Sequence, residues 1–257
     1  MSIVKQAQEF KLDDPHRALI HRDIIQKKPF LNKLYSEWYH CFMERSRSIE
    51  GKYLEIGSGG GFLKEVFPEA ITSDILELDT VDVVCNAQQL PFHDESLASI
   101  MMLNVFHHIP KPYLFLEEAQ RTLVPGGKII MIEPANTPFA RFIYTHFHHE
   151  PFLPKGSMEI EEGKPLSRSN QALPYIYFVR EKEKFIRNYP KLKLVHLSYH
   201  TPFTYLLSGG LSKPSILPGF LFGFARNFEK LFTPFNKLLG LFYMIEIEKI
   251  LILNRDE

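Results

Sequence analysis

The stretch YLEIGSGGGF, residues 53–62, holds four glycines in ten positions, in a chain of 257 residues that has only 14. Glycine loses more conformational freedom on folding than any other residue. A cluster of it therefore marks backbone that must turn sharply or come very close to something else. Tyr53, Leu54 and Ile56 ahead of the cluster read as a short buried strand. Behind it, FLKEVFP reads as a helix stopped at Pro68. A strand that feeds a glycine turn and then a helix is a common way to hold a nucleotide, and it requires a sheet around it.

The rest of the chain keeps that rhythm. Strands are expected at AITSDIL (70–76), VDVVCNA (81–87), LASIMMLNV (97–105) and GKIIMIEP (127–134). An amphipathic helix over 111–124, with Leu114, Leu116, Ala119 and Leu123 along one side, separates the last two. Residues 29–49 read as a helix ahead of the first strand, with Leu31, Leu34, Trp38, Cys41 and Phe42 at helical spacing. Beyond Pro134, 175–190 reads as a surface helix, 191–200 as a sixth strand, 216–240 as Phe-rich and mainly helical, and 243–253 as a final strand. Such alternation means an α/β fold: a Rossmann-like, doubly wound sheet of seven strands, mostly parallel with an antiparallel last strand. One domain over 1–257 is expected. It would comprise a helical cap (1–49), a core (50–134), an insertion after the fifth strand (135–190), and C-terminal strands with Phe-rich helices (191–257).

Composition narrows the partners. With 45% hydrophobic and 23% charged residues the chain can bury a core. Thirty Lys plus Arg balance thirty Asp plus Glu with no basic stripe, which argues against nucleic acid. Cys41 and Cys85 lie far apart without CxxC spacing. Neither a disulfide framework nor a structural zinc site is expected, and a reducing, cytoplasmic setting fits. The first residues, MSIVKQAQEFKLDDPHR, have no signal-peptide pattern. The most apolar window, 214–245, is broken by Pro218, Arg226, Glu229, Lys230 and Lys237, so no membrane span is expected. Peripheral membrane contact stays open.

The glycine spacing discriminates between nucleotides. A dinucleotide site wants G-x-G-x-x-G, but counting from Gly57 the third position falls on Phe62. No Gly-Lys-Ser/Thr follows, which excludes a phosphate loop. The pattern present is Glu55-x-Gly57-x-Gly59-x-Gly61, which resembles class I S-adenosylmethionine-dependent methyltransferases. Three further segments resemble the same family in the right order: Asp74 at the end of AITSD, CNAQQLPFHDES, and the pair LNVFHHIP and LVPGGKIIMIEP. Two positions depart from it, Asn86 and Ala98, where acids are usual. The resemblance covers roughly residues 50–134. It implies S-adenosylmethionine as cofactor, leaving as S-adenosylhomocysteine. The implied cofactor set is Glu55, Gly57, Ser58, Gly59, Gly61, Asp74, Ile75, Asn86, Ala87 and Asn104, with Leu90 and Phe92 as apolar walls. Glu55 would lie by the aminocarboxypropyl end. Asp74 would take both ribose hydroxyls, since a carboxylate accepts from two donors at once; a turn or helix cap is the other reading.

Methyl transfer from a sulfonium is an in-line displacement, so a protein can do much by alignment and water exclusion. A base is needed only where the acceptor must lose a proton. His108 and His149 are the candidate bases, and Tyr35, Tyr39, His107, His146 and Glu150 the candidate acceptor-side residues. For His107 and His108 capping and packing of the fourth strand's end is the competing reading. His146, His149 and Glu150 share helical spacing and could hold a divalent ion. Their neighbours Phe142, Tyr144 and Phe147 favour a pocket wall instead, and no metal is expected. Residues 135–240, rich in Phe, Leu, Tyr and Pro, suit a small acceptor of apolar or lipid-like character; packing as lid and core is the alternative. A non-catalytic S-adenosylmethionine-binding or scaffold protein, and less so an NAD-dependent oxidoreductase, are the competing functions.

Overall fold

A computed structural model describes residue 10 and residues 14–47, 49–161, 163 and 168–251. The reading of the first residues as lacking a leader, residues 165–167, and positions 252 and 253 of the expected last strand lie outside them.

Seven strands form one sheet: β1 (Lys52–Ile56), β2 (Ile71–Asp74), β3 (Val83–Val84), β4 (Leu97–Leu103), β5 (Leu123–Pro134), β6 (Leu192–His200) and β7 (Phe242–Lys249). Their order is β3-β2-β1-β4-β5-β7-β6. β1 runs parallel to β2 and β4, and β4 to β5. β7 slots between β5 and β6, antiparallel to both. The expected seven-stranded, mostly parallel sheet with an antiparallel last strand is thus observed. The strand order reverses between β1 and β4, and the crevice beyond the carboxyl ends there is where a sheet of this kind binds ligands.

Period-two alternation sends successive side chains to opposite faces. Ile100, Met102, Ile129 and Met131 enter one core with Phe106, Phe115 and Phe178. Met101, Ile130, Ile132 and Met244 enter the other, beneath helix α2 (Pro29–Ser46). Burial of each such side chain contributes about 1.5–3 kcal/mol. Helix α2 lays Leu31, Leu34, Trp38 and Phe42 on that core, as its periodicity predicts. Glu246, buried in β7, pairs with Arg45 of α2 and, at 3.6 Å, with Lys128. A second, shorter helix, α1 (Pro15–Lys27), precedes α2 and crosses over the glycine turn. The remaining helices that concern the site are α3 (Leu63–Val66), α4 (Pro112–Thr122) and α5 (Pro138–Phe147).

Several local expectations need correction. The third strand shrinks to two residues, because CNAQ curls into an isolated bridge between Asn86 and Gln89. The fifth strand starts at Leu123 with a register shift rather than at Gly127. The expected surface helix over 175–190 is interrupted: a π-helical turn, Ile176–Arg180, leads into α6 (Lys182–Asn188). Ile176, Tyr177, Phe178 and Phe185 are buried, so this segment is core on one side. The Phe-rich stretch holds one regular helix, α7 (Phe222–Lys230), with single turns around it.

Candidate active site

β1 ends in the glycine turn. Glu55, buried on β1, accepts from Ser58 Oγ at 2.6 Å. Burial raises the Glu55 carboxyl to about 7, opposed by the Ser58 hydrogen bond and reinforced by nearby Asp74. Gly57 sits at φ +70°, and a Cβ there would meet Val105 at 2.5 Å, so only glycine lets β1 and the end of β4 come together. Asp74, ending β2, accepts from Gly59 N and Leu76 N, each at 2.9 Å. Both contacts are of the capping kind. A carboxylate has about four acceptor sites, which leaves Asp74 able to take further donors.

These groups line a cavity of about 1220 Å³. At one end lie Glu55, Gly57, Ser58, Gly59, Gly61, Asp74, Ile75, Asn86, Ala87 and Asn104, the whole set that the resemblance implied. Leu90 and Phe92 do not line it; they pack in the core beside α4. Asn86 is exposed and its Oδ1 accepts from Gln88 N at 2.9 Å, a local turn bond rather than a free acceptor. Asn104 stands at φ +58°, and its Oδ1 is buried without a partner. A buried acceptor of this kind, lining the same cavity as the carboxylate of Glu55, fits a ligand that brings N–H donors.

Helix α1 roofs this end. A Cβ on Gly60 would meet Arg22 N at 2.6 Å and Ala18 O at 2.7 Å, so the turn and helix touch backbone to backbone. Arg22 donates to Gly61 O at 2.6 Å and pairs with Glu65 at 2.8 Å. Lys28, just after α1, donates to Gly210 O and, at 2.8 Å, to Lys213 O. α1 and the loop 209–213 therefore close over the cavity as one stitched lid.

The other end is a histidine–carboxylate cluster. Glu133, fully buried at the end of β5, accepts from Val105 N and Phe106 N at 2.7 Å and pairs with His107 Nδ1 at 2.6 Å. His107 Nε2 lies 3.4 Å, and His108 Nε2 3.6 Å, from the carboxylate of Glu150. Gln171 donates to that carboxylate at 3.1 Å. Burial disfavours charge on His107, yet Glu133 and Glu150 outweigh it and raise the imidazole to about 9. Burial and the His107 charge push His108 down to about 4. Burial alone would raise Glu150, but His107, His108 and His148 hold it well below the usual carboxylate range.

The sequence-derived grouping of His146, His149 and Glu150 on one helical face does not form. α5 ends at Phe147, so Glu150 lies beyond it in a bend of the chain that turns back to His107 and His108. His146 is exposed, bonds Phe142 O at 2.9 Å, and does not line the cavity. His149 stands at the mouth, largely exposed, 3.7 Å from Glu150. Tyr35 and Tyr39 line the cavity while packing on each other and on Trp38 and Phe62. Of the aromatic residues read as a pocket wall, Tyr144 and Phe147 line the cavity and Phe142 does not; sequence reasoning missed Glu133, Gln171 and the α1 residues Arg17 and His21, all of them at or behind the cavity wall. Two signals were available: an acid inside an apolar strand, which must find a partner, and Asp14-Pro15, a helix start.

Residues 54–131 match the profile of a methyltransferase domain. A demethylmenaquinone methyltransferase from Symbiobacterium thermophilum is 29% identical over 143 residues, 55% of this chain and 53% of the relative. The match thus spans about half the relative's length. Among solved structures, a SAM-dependent methyltransferase from Archaeoglobus fulgidus is 16% identical over 84% of this chain and 94% of that one, with TM-score 0.50. A geranyl diphosphate C-methyltransferase from Streptomyces coelicolor A3(2) is 14% identical over 93% and 87%, with TM-score 0.49. At such identity the likeness to the Archaeoglobus fulgidus structure speaks for the fold alone, while the profile match bears on the glycine turn and the four strands after it. The segment running from β1 into β5 thus carries the sequence pattern of a methyltransferase domain on a Rossmann-like sheet.

Proposed function

We propose that this protein transfers a methyl group from S-adenosylmethionine to a small, apolar or lipid-like acceptor. The observation that carries the reading is the single cavity, which joins the Glu55–Asp74–Asn104 end to the His107–His108–Glu150 end under one lid. When bound, S-adenosylmethionine supplies an electrophilic methyl group on a sulfonium whose departure leaves a neutral thioether. Glu55 and Asn104 Oδ1 would hold its ammonium, Asp74 its ribose, and Ile75 and Ala87 the adenine region.

The chain's own contribution is alignment and dryness. α1 and the loop 209–213 exclude water, which strengthens every polar contact inside. Tyr144, Tyr205, Leu206 and Phe242 give the acceptor end apolar walls. His108, neutral near pH 7, can accept a hydrogen bond from an acceptor hydroxyl at the wall. With no cation beside it His107 is protonated there and is no base; with Glu133 it fixes the end of β4. His149 at the mouth is a second contact for the acceptor.

A lipid-like acceptor is supported by the outer face next to the cavity mouth. Ile216, which lines the cavity, and Phe220, Phe224, Phe228, Leu231, Phe235 and Leu238 after it in the chain are all exposed. The demethylmenaquinone methyltransferase relative, whose name implies an apolar acceptor, points the same way. Among the described residues no helix is long and apolar enough to cross a membrane. Both cysteines are free, in keeping with a cytoplasmic setting.

Side-by-side calorimetric titration with S-adenosylmethionine, S-adenosylhomocysteine and NAD tests the reading. Micromolar binding of the two sulfur nucleosides and none of NAD is expected. Asp74→Asn, which keeps the side chain's size and one of the two cap bonds, should weaken both by at least about tenfold through the loss of charged hydrogen bonds to hydroxyls. Binding of NAD alone would overturn it.

A further inference from the structure

The cluster at the acceptor end is built like a metal centre. Two imidazole nitrogens and a carboxylate, from His107, His108 and Glu150, place their ligand atoms within 4.8 Å of one another. Two donors each about 2.1 Å from an ion, at a tetrahedral angle, stand about 3.4 Å apart. The separations here are 3.4 Å from His107 Nε2 and 3.6 Å from His108 Nε2 to the nearest Glu150 oxygen. Charged hydrogen bonds between such groups close to about 2.7–2.9 Å. The gap is too wide for a good direct pair and right for a shared ion.

The surroundings repeat the pattern of metal sites. A ligating histidine normally gives its other ring nitrogen to a carboxylate, which fixes the tautomer and the ring. His107 does this, with Nδ1 2.6 Å from Glu133, so that its Nε2 faces Glu150. Glu133 is itself held by two backbone N–H groups, and Glu150 by Gln171. The charge also asks for an ion. Glu133 and Glu150 are two carboxylates in a mostly closed site, and every ion pair they make among the described residues is to a histidine. One divalent cation with neutral imidazoles balances both.

The geometry points to a divalent first-row metal site formed by His107, His108 and Glu150, with its open positions facing the acceptor end of the cavity. Mixed imidazole and carboxylate donors suit Zn²⁺, Fe²⁺ or Mn²⁺ better than Mg²⁺ or Ca²⁺, which favour oxygen alone. An ion there would bind a hydroxyl or enol oxygen of the acceptor and orient it. Ion binding needs neither cofactor nor acceptor, so it stands or falls apart from the methyl-transfer reading.

The test uses the full chain, stripped with a chelator and dialysed against Zn²⁺, with bound zinc measured by elemental analysis and Co²⁺ substitution followed by visible spectroscopy. One zinc per chain is expected, lost in Glu150→Gln and His108→Ala and retained in His146→Ala, whose ring lies outside the cluster. Cobalt should give ligand-field bands that Glu150→Gln lacks. Thermal unfolding of each variant, and S-adenosylhomocysteine titration, separate loss of ligand from loss of fold. Should the variants fail to fold, the cobalt spectrum of the wild type decides alone: bands of an imidazole–carboxylate site support the proposal, and the spectrum of aqueous cobalt overturns it. Absence of stoichiometric zinc in the wild type, or a full equivalent in folded Glu150→Gln, also overturns it.

Discussion

At the scale of single residues the cofactor end is governed by one buried acid. Burial raises Glu55 from 4.5 to about 7, so the fold without ligand favours its protonated form. That stabilisation is fully present below the unfolded pKa of 4.5 and is lost as pH rises through about 7. Its size is about 3 kcal/mol for a shift of this order. A cationic ligand group wants the opposite state, the carboxylate, and must expel the proton wherever Glu55 still holds it. Affinity for S-adenosylmethionine should therefore rise with pH from about 5.5 to 7, by a limiting factor of about ten per unit, and then level off. Calorimetry at several pH values checks this, and Glu55→Gln should bind weakly with a nearly flat profile. A wild-type profile that is equally flat would remove Glu55 from contact with the ammonium. Asp74 illustrates the same logic in a double role, because its carboxylate both caps the glycine turn and faces the cavity. Sequence position offered the two roles as alternatives; Gly59 and Leu76, which both donate to the carboxylate, show that the cap does not exclude the cavity-facing role.

At the scale of elements, the strands and the glycine turn were legible because their signals are local: period-two burial, four glycines and a closing proline. α1 was not read as a helix of its own within the expected helical cap over 1–49, although Asp14-Pro15 announces it, because its buried apolar stripe is only Ala18, Ile24 and Ile25. Its inner face is instead shaped by contact with Gly60. The acceptor-end cluster was harder still. His107 and Glu133 are 26 positions apart and Glu150 lies 42 beyond His108, so only the parallel pairing of β4 with β5 and the end of α5 bring them together. Spacing suggested a helical face for His146, His149 and Glu150, and the early end of α5 dissolved it. The roof makes its own prediction. Gly60→Ala drives a methyl group against the backbone of Ala18 and Arg22, which cannot yield as a flexible side chain would. α1 should lift while the sheet holds. We expect faster protease cleavage within 15–27 and at least about tenfold weaker cofactor binding, with the main unfolding transition little changed. Wild-type cleavage and affinity would mean that α1 is not part of the lid.

The whole molecule has a polarity that no single element shows. The sheet and α4 make one side compact, whereas the stretch from the loop 209–213 to β7 turns large apolar side chains outward. Phe220 is 80% exposed, Phe224 71% and Leu231 70%. A monomer rarely leaves so many together, and such patches mark interaction surfaces. Residues 208–241 also carry four basic residues, Lys213, Arg226, Lys230 and Lys237, against a single acid, Glu229, which is buried and bonded to Thr204 and Arg226. Apolar rings beside a basic surplus match an anionic lipid surface. Lys213 and Ile216 join this face to the cavity mouth, so an acceptor dissolved in the bilayer would meet the lid directly. Burial of one Phe side chain in an apolar phase contributes about 1.5–3 kcal/mol. Phe220→Ser with Phe224→Ser should therefore reduce binding to vesicles of mixed neutral and anionic lipid at least about tenfold, measured by co-sedimentation. Both rings already sit in solvent, so thermal stability and cofactor affinity should stay as in the wild type. Added salt should weaken wild-type binding further, because the basic residues are solvent-facing. If the wild type stays in the supernatant with anionic vesicles, the apolar face belongs to another occupant and the acceptor must reach the cavity from water.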